Sequence, residues 1–99
     1  MDIQDVVSRI KSSYYDDVKP LIDNGALSEA YCSMGYLMMS LVLPNRERIE
    51  GYHTGPNTVN SMQLLIEDFE NETSSTGRVD MFEACLNQLE LAVKSGNKF

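Results

Sequence analysis

The chain has 99 residues, with 15 acidic and 8 basic side chains and a formal charge of −7. Its length fits a single domain over residues 1–99, and its 42% hydrophobic and 23% charged residues exclude wholesale disorder. The acidic surplus favours a basic partner, and we expect no direct binding to nucleic acid.

The first predicted helix follows from apolar residues that recur at steps of three and four. They are Ile3, Val6, Val7, Ile10 and Tyr14. Asp2 precedes them as an N-cap. Since the ring of Pro20 would clash with the carbonyl four residues earlier, we predict a kinked extension or a new short helix with Pro20 in its first turn. Asn24-Gly25 ends this segment.

The second predicted helix is apolar on nearly every side and should therefore lie at the centre of the fold. Its apolar residues are Ala30, Tyr31, Met34, Leu37, Met38, Leu41 and Val42. Ser28 can cap its start, and Pro44 stops it. Met39 is expected to fill the core together with the other methionines of this helix. A short helical turn at residues 46–50 precedes a loop.

Two further amphipathic helices complete the pattern. Apolar residues recur at helical spacing in residues 59–69 and again in residues 79–93, and the polar stretch 70–77 connects them. The two helices should pack as an antiparallel hairpin. Since no stretch alternates as a strand would, the sequence predicts an all-α fold, a small irregular or orthogonal bundle of four to five helices.

Targeting and membrane signals are not found in the sequence. The first twenty residues lack a positive region followed by an apolar stretch, as a secretory signal would need. The longest uncharged apolar-rich run, residues 30–43, has fourteen residues, whereas a membrane span needs about 20. Cys32 and Cys85 form no Cys-x-x-Cys pair. We expect a cytoplasmic protein without membrane contact, in which both cysteines are buried free thiols.

One candidate surface for a basic partner lies at the end of the helix predicted at residues 59–69. It consists of Glu67, Asp68, Glu70 and Glu72, four acids without a base among them. Acids at a helix C-terminus oppose the helix dipole by about 0.3–1 kcal/mol each at exposed sites, so helix stability does not explain them. The alternative is an ordinary solvated helix end.

A second candidate surface is Tyr15, Asp16 and Asp17. Adjacent helical residues point about 100° apart, so Tyr14 can join the core while Tyr15 lies at the rim beside the two acids. The Tyr15 ring would anchor a partner, and the carboxylates would meet its Lys or Arg side chains. The alternative is a Tyr15 ring that only covers an apolar edge.

Few residues here suit catalysis or metal binding. His53 is the only histidine, and its neighbours supply no convincing nucleophile or carboxylate. The paired acids lack the Asp-x-Asp-x-Asp-Gly and Glu-x-x-His patterns of metal sites. We therefore expect no catalytic residue, no cofactor and no metal. A small enzyme that uses His53 with a carboxylate remains an alternative.

One stretch of the chain resembles a known family. In residues 17–30, DVKPLIDNGALSEA, an Asp-Val-Lys-x-Leu-Ile-like helix ends in Gly25 and leads into an alanine-bearing apolar helix. With Leu43-Pro44 and the charged residues 46–50, it is similar over about residues 16–52 to the MafI family of immunity proteins of bacterial polymorphic toxin systems. Ala26 stands where that family usually has an acid, and residues 57–99 have no counterpart.

The resemblance implies a small cytoplasmic helical protein that binds and neutralises a cognate toxin, without catalytic residues of its own. Charge complementarity to the basic cleft of a nuclease would give association rate and selectivity. We therefore expect an immunity protein that covers the active cleft of a basic toxin domain, most plausibly the C-terminal nuclease domain of a toxin. The alternatives are a secretion chaperone or adaptor and a phage-encoded acidic inhibitor of a nucleic-acid-binding protein. A chaperone would dimerise and expose an apolar groove.

Overall fold

The structure, a computed structural model, describes residues 2–52, 58–71 and 77–96, with the backbone alone at residues 70, 77 and 78. Its helices are α1 (Ile3–Ser13), α2 (Lys19–Asp23), α3 (Leu27–Leu37), α4 (Arg46–Glu50), α5 (Thr58–Asn71) and α6 (Gly77–Ser95). A π-helical turn, Tyr14–Val18, joins α1 to α2 in a first rod; a second π-helical turn, Met38–Val42, and a 3₁₀ turn, Leu43–Asn45, join α3 to α4 in a second rod. The described residues contain no strand, so the all-α prediction is confirmed.

Both π-helical turns end two residues before a proline. In the first, the N–H of Lys19 donates to the carbonyl of Tyr14, five residues back. A proline has no N–H and pushes against the carbonyl four residues before it, and the wider turn accommodates both effects. Pro20 lies at the start of α2, as predicted. The second predicted helix ends at Val42, before Pro44, and a 3₁₀ turn leads to the separate α4 at residues 46–50, so the predicted stop and the predicted short helical turn are both confirmed.

A glycine turn reverses the chain between the two rods. Gly25 has a φ of 77°, and its N–H donates to the carbonyl of Ile22 at 3.0 Å, while the N–H of Ala26 donates to that of Leu21 at 2.8 Å. This bonding pattern ends α2 as a Schellman motif and leads the chain directly into α3. Ala26 therefore occupies the N-cap of α3, and the prediction that Ser28 caps it is wrong.

The core contains side chains from both rods and from α5 and α6. Its largest fully buried side chains are Tyr14, Phe82, Ile10, Met34, Ile49, Met62, Leu86, Leu89, Val6, Val18, Val42 and Val59. Only five residues separate α5 from α6, and the two helices pack on each other, which confirms the antiparallel hairpin. α6 also packs against α1. Among the described residues, no helix has the length and apolar content to cross a bilayer.

The second rod buries only one of its faces, contrary to the prediction that it is central on nearly every side. Met34 and Met38 lie in the core with exposed fractions of 1% and 5%. Met39, next along the chain, is 73% exposed, so the prediction that it fills the core is wrong. Residues 36 and 39 lie on the opposite side of this rod from residues 34 and 38, and that side faces solvent.

Candidate protein-binding surface

The first π-helical turn carries Tyr15, Asp16 and Asp17 on the surface. Tyr14 is fully buried, and its ring meets that of Tyr15 edge-on, with centroids 5.1 Å apart and planes at 83°. Tyr15 is 37% exposed, and both aspartates are exposed. The predicted division between a buried Tyr14 and a Tyr15 at the rim is therefore confirmed.

The buried Tyr14 fixes this turn to α6. Its ring packs on Phe82 at a centroid distance of 5.4 Å, and its hydroxyl donates to Oε1 of Glu83 at 2.7 Å. Burial, followed by the hydrogen bond to the Glu83 carboxylate, raises the pKa of the Tyr14 hydroxyl, so this group stays protonated and keeps donating. Nζ of Lys19 lies 3.3 Å from the same oxygen, and the bond to Glu83 raises the pKa of Lys19. The turn carrying the two aspartates is thus anchored at both ends.

A second polar contact holds α1 on α6. Nζ of Lys11 bonds both carboxylate oxygens of Glu90 at 3.2 and 3.1 Å, and Lys94 lies 3.7 Å from the same carboxylate. The hydrogen bond from Lys11 contributes most to lowering the pKa of Glu90 below its ordinary value of 4.5, against the opposing effect of burial. The contact of Glu90 with the two lysines is therefore stronger while Glu90 is ionised.

This contact makes part of the stability pH-dependent. Because folding lowers the pKa of Glu90, its contribution is fully present above pH 4.5 and is lost as the pH falls through the lowered value. We expect Glu90→Gln to lower the free energy of unfolding at neutral pH, with a difference from wild type that shrinks towards about pH 3. Urea unfolding at the two pH values measures this. Glu67→Gln, at an exposed acid without an ion pair in the described residues, is the control; an equal loss there would contradict the assignment.

Three half-buried acids have structural roles, in addition to the exposed Asp2 that caps α1. Besides Glu83 and Glu90, the carboxylate of Glu50 accepts the backbone N–H groups of Thr58 at 3.0 Å and Val59 at 2.8 Å. It thereby satisfies free donors at the N-terminus of α5. These three carboxylates are therefore not counted in the candidate binding surface.

Asp16 and Asp17 form no ion pair with any other described residue, and the structure directs them into separate grooves. Asp16 and Tyr15 line a polar groove of about 350 Å³ that also contains the Lys11–Glu90 pair. Asp17 lines a different groove, between the first and second rods. The predicted cluster therefore presents two chemically different sides.

The groove that contains Asp17, here named the α1–α3 groove, has a volume of about 530 Å³. Its lining residues are Ser13, Asp17, Cys32, Ser33, Tyr36 and Ser40, with Leu37 and Leu41 as the apolar floor. Leu37 is buried and Leu41 is half-buried. Asp17 is its one charged lining residue among the residues that the structure describes.

The other predicted surface lies at the end of α5. Glu67 and Asp68 are exposed there, Glu70 belongs to the last turn of α5 with its side chain outside the described set, and Glu72 lies outside the described residues. Because α5 and α6 are antiparallel, the end of α5 lies near the start of α6. The first π-helical turn contacts α6 at residues 82–83. Both predicted surfaces therefore border the N-terminal half of α6.

Sequence reasoning missed the exposed apolar residues of the second rod. Tyr36 is 76% exposed, and Leu43 further along is 37% exposed. With Met39 they follow helical spacing of three and four, which in the sequence is indistinguishable from a core pattern. A usable signal is the charge distribution, since residues 20–45 contain no Lys or Arg.

Residues suited to catalysis and metal binding are sparse where the structure can be described. Across residues 2–52, 58–71 and 77–96, no three His, Cys, Asp or Glu side chains group closely enough to hold a metal ion. His53 lies outside these ranges. Both cysteines are free, but Cys32 is exposed, so the prediction that both are buried is wrong. Burial raises the pKa of the half-buried Cys85 thiol.

The comparisons with known proteins identify no relative. No protein-family model, curated protein or solved structure matches the chain. The likeness of residues 16–52 to MafI-type immunity proteins therefore stays a prediction. Function is inferred from the geometry and charge of the surface.

Proposed function

We propose that this chain is an immunity-type protein that binds and neutralises a basic toxin domain, and that this toxin domain is a nuclease. The observation that carries the proposal is the first π-helical turn, where Asp16 and Asp17 are exposed and without ion pairs among the described residues, beside the half-exposed ring of Tyr15. A toxin domain that binds nucleic acid presents Lys and Arg side chains, which are the complement of such a turn.

The distribution of charge supports a basic partner more strongly than the net charge of −7 does by itself. Lys11, Lys19 and Lys94 are three of the eight bases, and each is paired with a structural acid of α6. These bases therefore do little to offset Asp16 and Asp17. A surface of one sign attracts an oppositely charged partner, raises the association rate and selects against acidic competitors.

The anchoring of the turn also suits binding. Tyr14 and Lys19 hold it on α6 through Glu83, so the backbone that carries the two aspartates is already placed when a partner arrives. Binding loses less conformational entropy when the contacting groups are already in place. A tyrosine ring adds contact area with only two rotatable side-chain bonds.

A secretion chaperone is a second candidate, favoured by the partly apolar α1–α3 groove and the exposed Tyr36 and Met39. Such a chaperone is expected to dimerise. Sedimentation at several protein concentrations separates the two candidates, since a monomer at all of them contradicts the chaperone.

Growth rescue tests the proposed function. The C-terminal domain of an exported protein encoded next to this chain, called the toxin domain below, is expressed in a bacterial host with and without the chain. We expect arrested growth with the toxin domain alone and restored growth when the chain is present. Continued arrest with folded chain in excess, or a neighbouring frame without a toxic product, would contradict the proposal.

A further inference from the structure

We propose that the α1–α3 groove receives a basic amphipathic helix of the protein partner, with apolar side chains on its floor and an Arg or Lys at Asp17. This assignment rests on the proposed function and deepens it, because it names the docking surface and the chemistry of the segment that fills it. Three properties of the groove carry the assignment: its apolar lining, its charge and its length.

An exposed aromatic ring borders the apolar floor of the groove. Tyr36 lines the groove and is 76% exposed, whereas Met39 and Leu43, further along the same rod, are exposed but do not line it. Isolated exposed apolar side chains are common on proteins, whereas an exposed ring beside a groove with an apolar floor is typical of a contact surface. Leu37 and Leu41 in the floor offer buried area to an inserted apolar side chain.

The charge around the groove selects the sign of the occupant. Asp17 is exposed and has no ion-pair partner in the described parts of the chain, and it faces a rod whose residues 29–45 include no base. Glu29, one turn before Ser33 on that rod, is also exposed. A basic side chain docking here meets one acid directly and no described base in the lining, whereas an acidic segment would be repelled.

The length of the groove fits a short helix. Cys32 and Ser40 are eight residues apart along the second rod, which corresponds to about 12 Å at 1.5 Å per residue. About two turns of a partner helix match this length, and residues spaced three or four apart can enter the groove as anchors. The neighbouring groove of Asp16 already holds the Lys11–Glu90 pair and offers no comparable apolar floor.

Two synthetic peptides test the assignment without the natural partner. Both are helical 14-residue peptides with leucines at positions i, i+3, i+4 and i+7; one carries arginines on the flanks and the other carries glutamates at the same places. Each is titrated into isotopically labelled protein and followed by NMR. We expect the arginine peptide to shift the amide signals of residues 13–17 and 32–41, and the glutamate peptide to bind about tenfold more weakly or not at all.

Variants assign the contacts. Asp17→Lys and Tyr36→Ser each change an exposed side chain, and we expect each to weaken binding of the arginine peptide about tenfold. Asp5→Lys, an equal charge change at an exposed acid in the first turn of α1, is the control and should leave the peptide affinity within about twofold. Amide spectra of the free variants confirm that they fold.

Three results overturn the assignment: no binding of the arginine peptide, shifts centred outside the groove, or equal binding of the two peptides. Full affinity of both Asp17→Lys and Tyr36→Ser also overturns it. These outcomes do not alter the growth-rescue result, so a failure of the groove assignment is distinguishable from a failure of the proposed function.

Discussion

Reversing Asp16 and Asp17 together to lysine is expected to slow association with the toxin domain by about tenfold or more at low ionic strength. The two side chains are exposed and unpaired among the described residues, so their charge acts on an approaching partner without being cancelled locally. At about 0.01 M salt the screening length is about 30 Å, which lets these charges act before contact. Stopped-flow measurement of the association rate checks this.

A matched control separates the effect of where the charge lies from the effect of the net charge. Asp5→Lys with Glu47→Lys also reverses two exposed acids, at the starts of α1 and α4. The two double variants have the same net charge, so any difference between their rates reports where the charge lies. We expect the Asp16/Asp17 variant to be the slower, with a difference that narrows as salt is added. Equal rates would remove the π-helical turn from the interface.

The second large expected effect is on stability, and it concerns the packing of the first π-helical turn on α6. We expect Phe82→Ala to lower the free energy of unfolding by about 3–5 kcal/mol, because it leaves a cavity where the ring packs on Tyr14. Phe82 is fully buried, with its centroid 5.4 Å from that of Tyr14. A loss of this size is a large share of the stability typical of a small domain. Urea denaturation, with the slope compared to wild type, measures it.

Leu91→Ala is the matched control for this substitution. Leu91 lies on the same helix but is 63% exposed, so its truncation should change stability by no more than about 0.5 kcal/mol. Comparable losses in the two variants, or a loss below about 1 kcal/mol for Phe82→Ala, would contradict the packing described for α6.

Helices α1, α5 and α6 and the buried face of each were predictable because both follow from local spacing. The apolar repeats in residues 3–14, 59–69 and 79–93 place buried residues on one side of α1, α5 and α6. The turn at Gly25 was also predictable, since its positive φ favours glycine. The π-helical turns before Pro20 and Pro44 were not predictable. Whether the chain at a proline ends its helix or widens into a π-helical turn depends on tertiary packing. The spacing of apolar residues in the sequence does not predict that packing.

The candidate surface was predictable in part. The rim position of Tyr15 and the exposure of its two acids follow from helical geometry. The separation of Asp16 and Asp17 into two grooves depends on α6 and the second rod both packing beside the first rod, which no local pattern indicates. The solvent-facing Tyr36 and Met39 were hidden for the same reason, since an apolar repeat does not say which neighbour covers it.

Carboxyl footprinting of the complex is the most direct test of whether the first π-helical turn contacts the toxin domain. Exposed carboxylates are labelled with a carbodiimide and an amine, in the chain alone and in its complex with the toxin domain, and the sites are quantified by mass spectrometry. We expect Asp16 and Asp17 to lose most of their labelling in the complex while Asp5 and Glu47 keep theirs. Unchanged labelling of Asp16 and Asp17 in a saturated complex would contradict it.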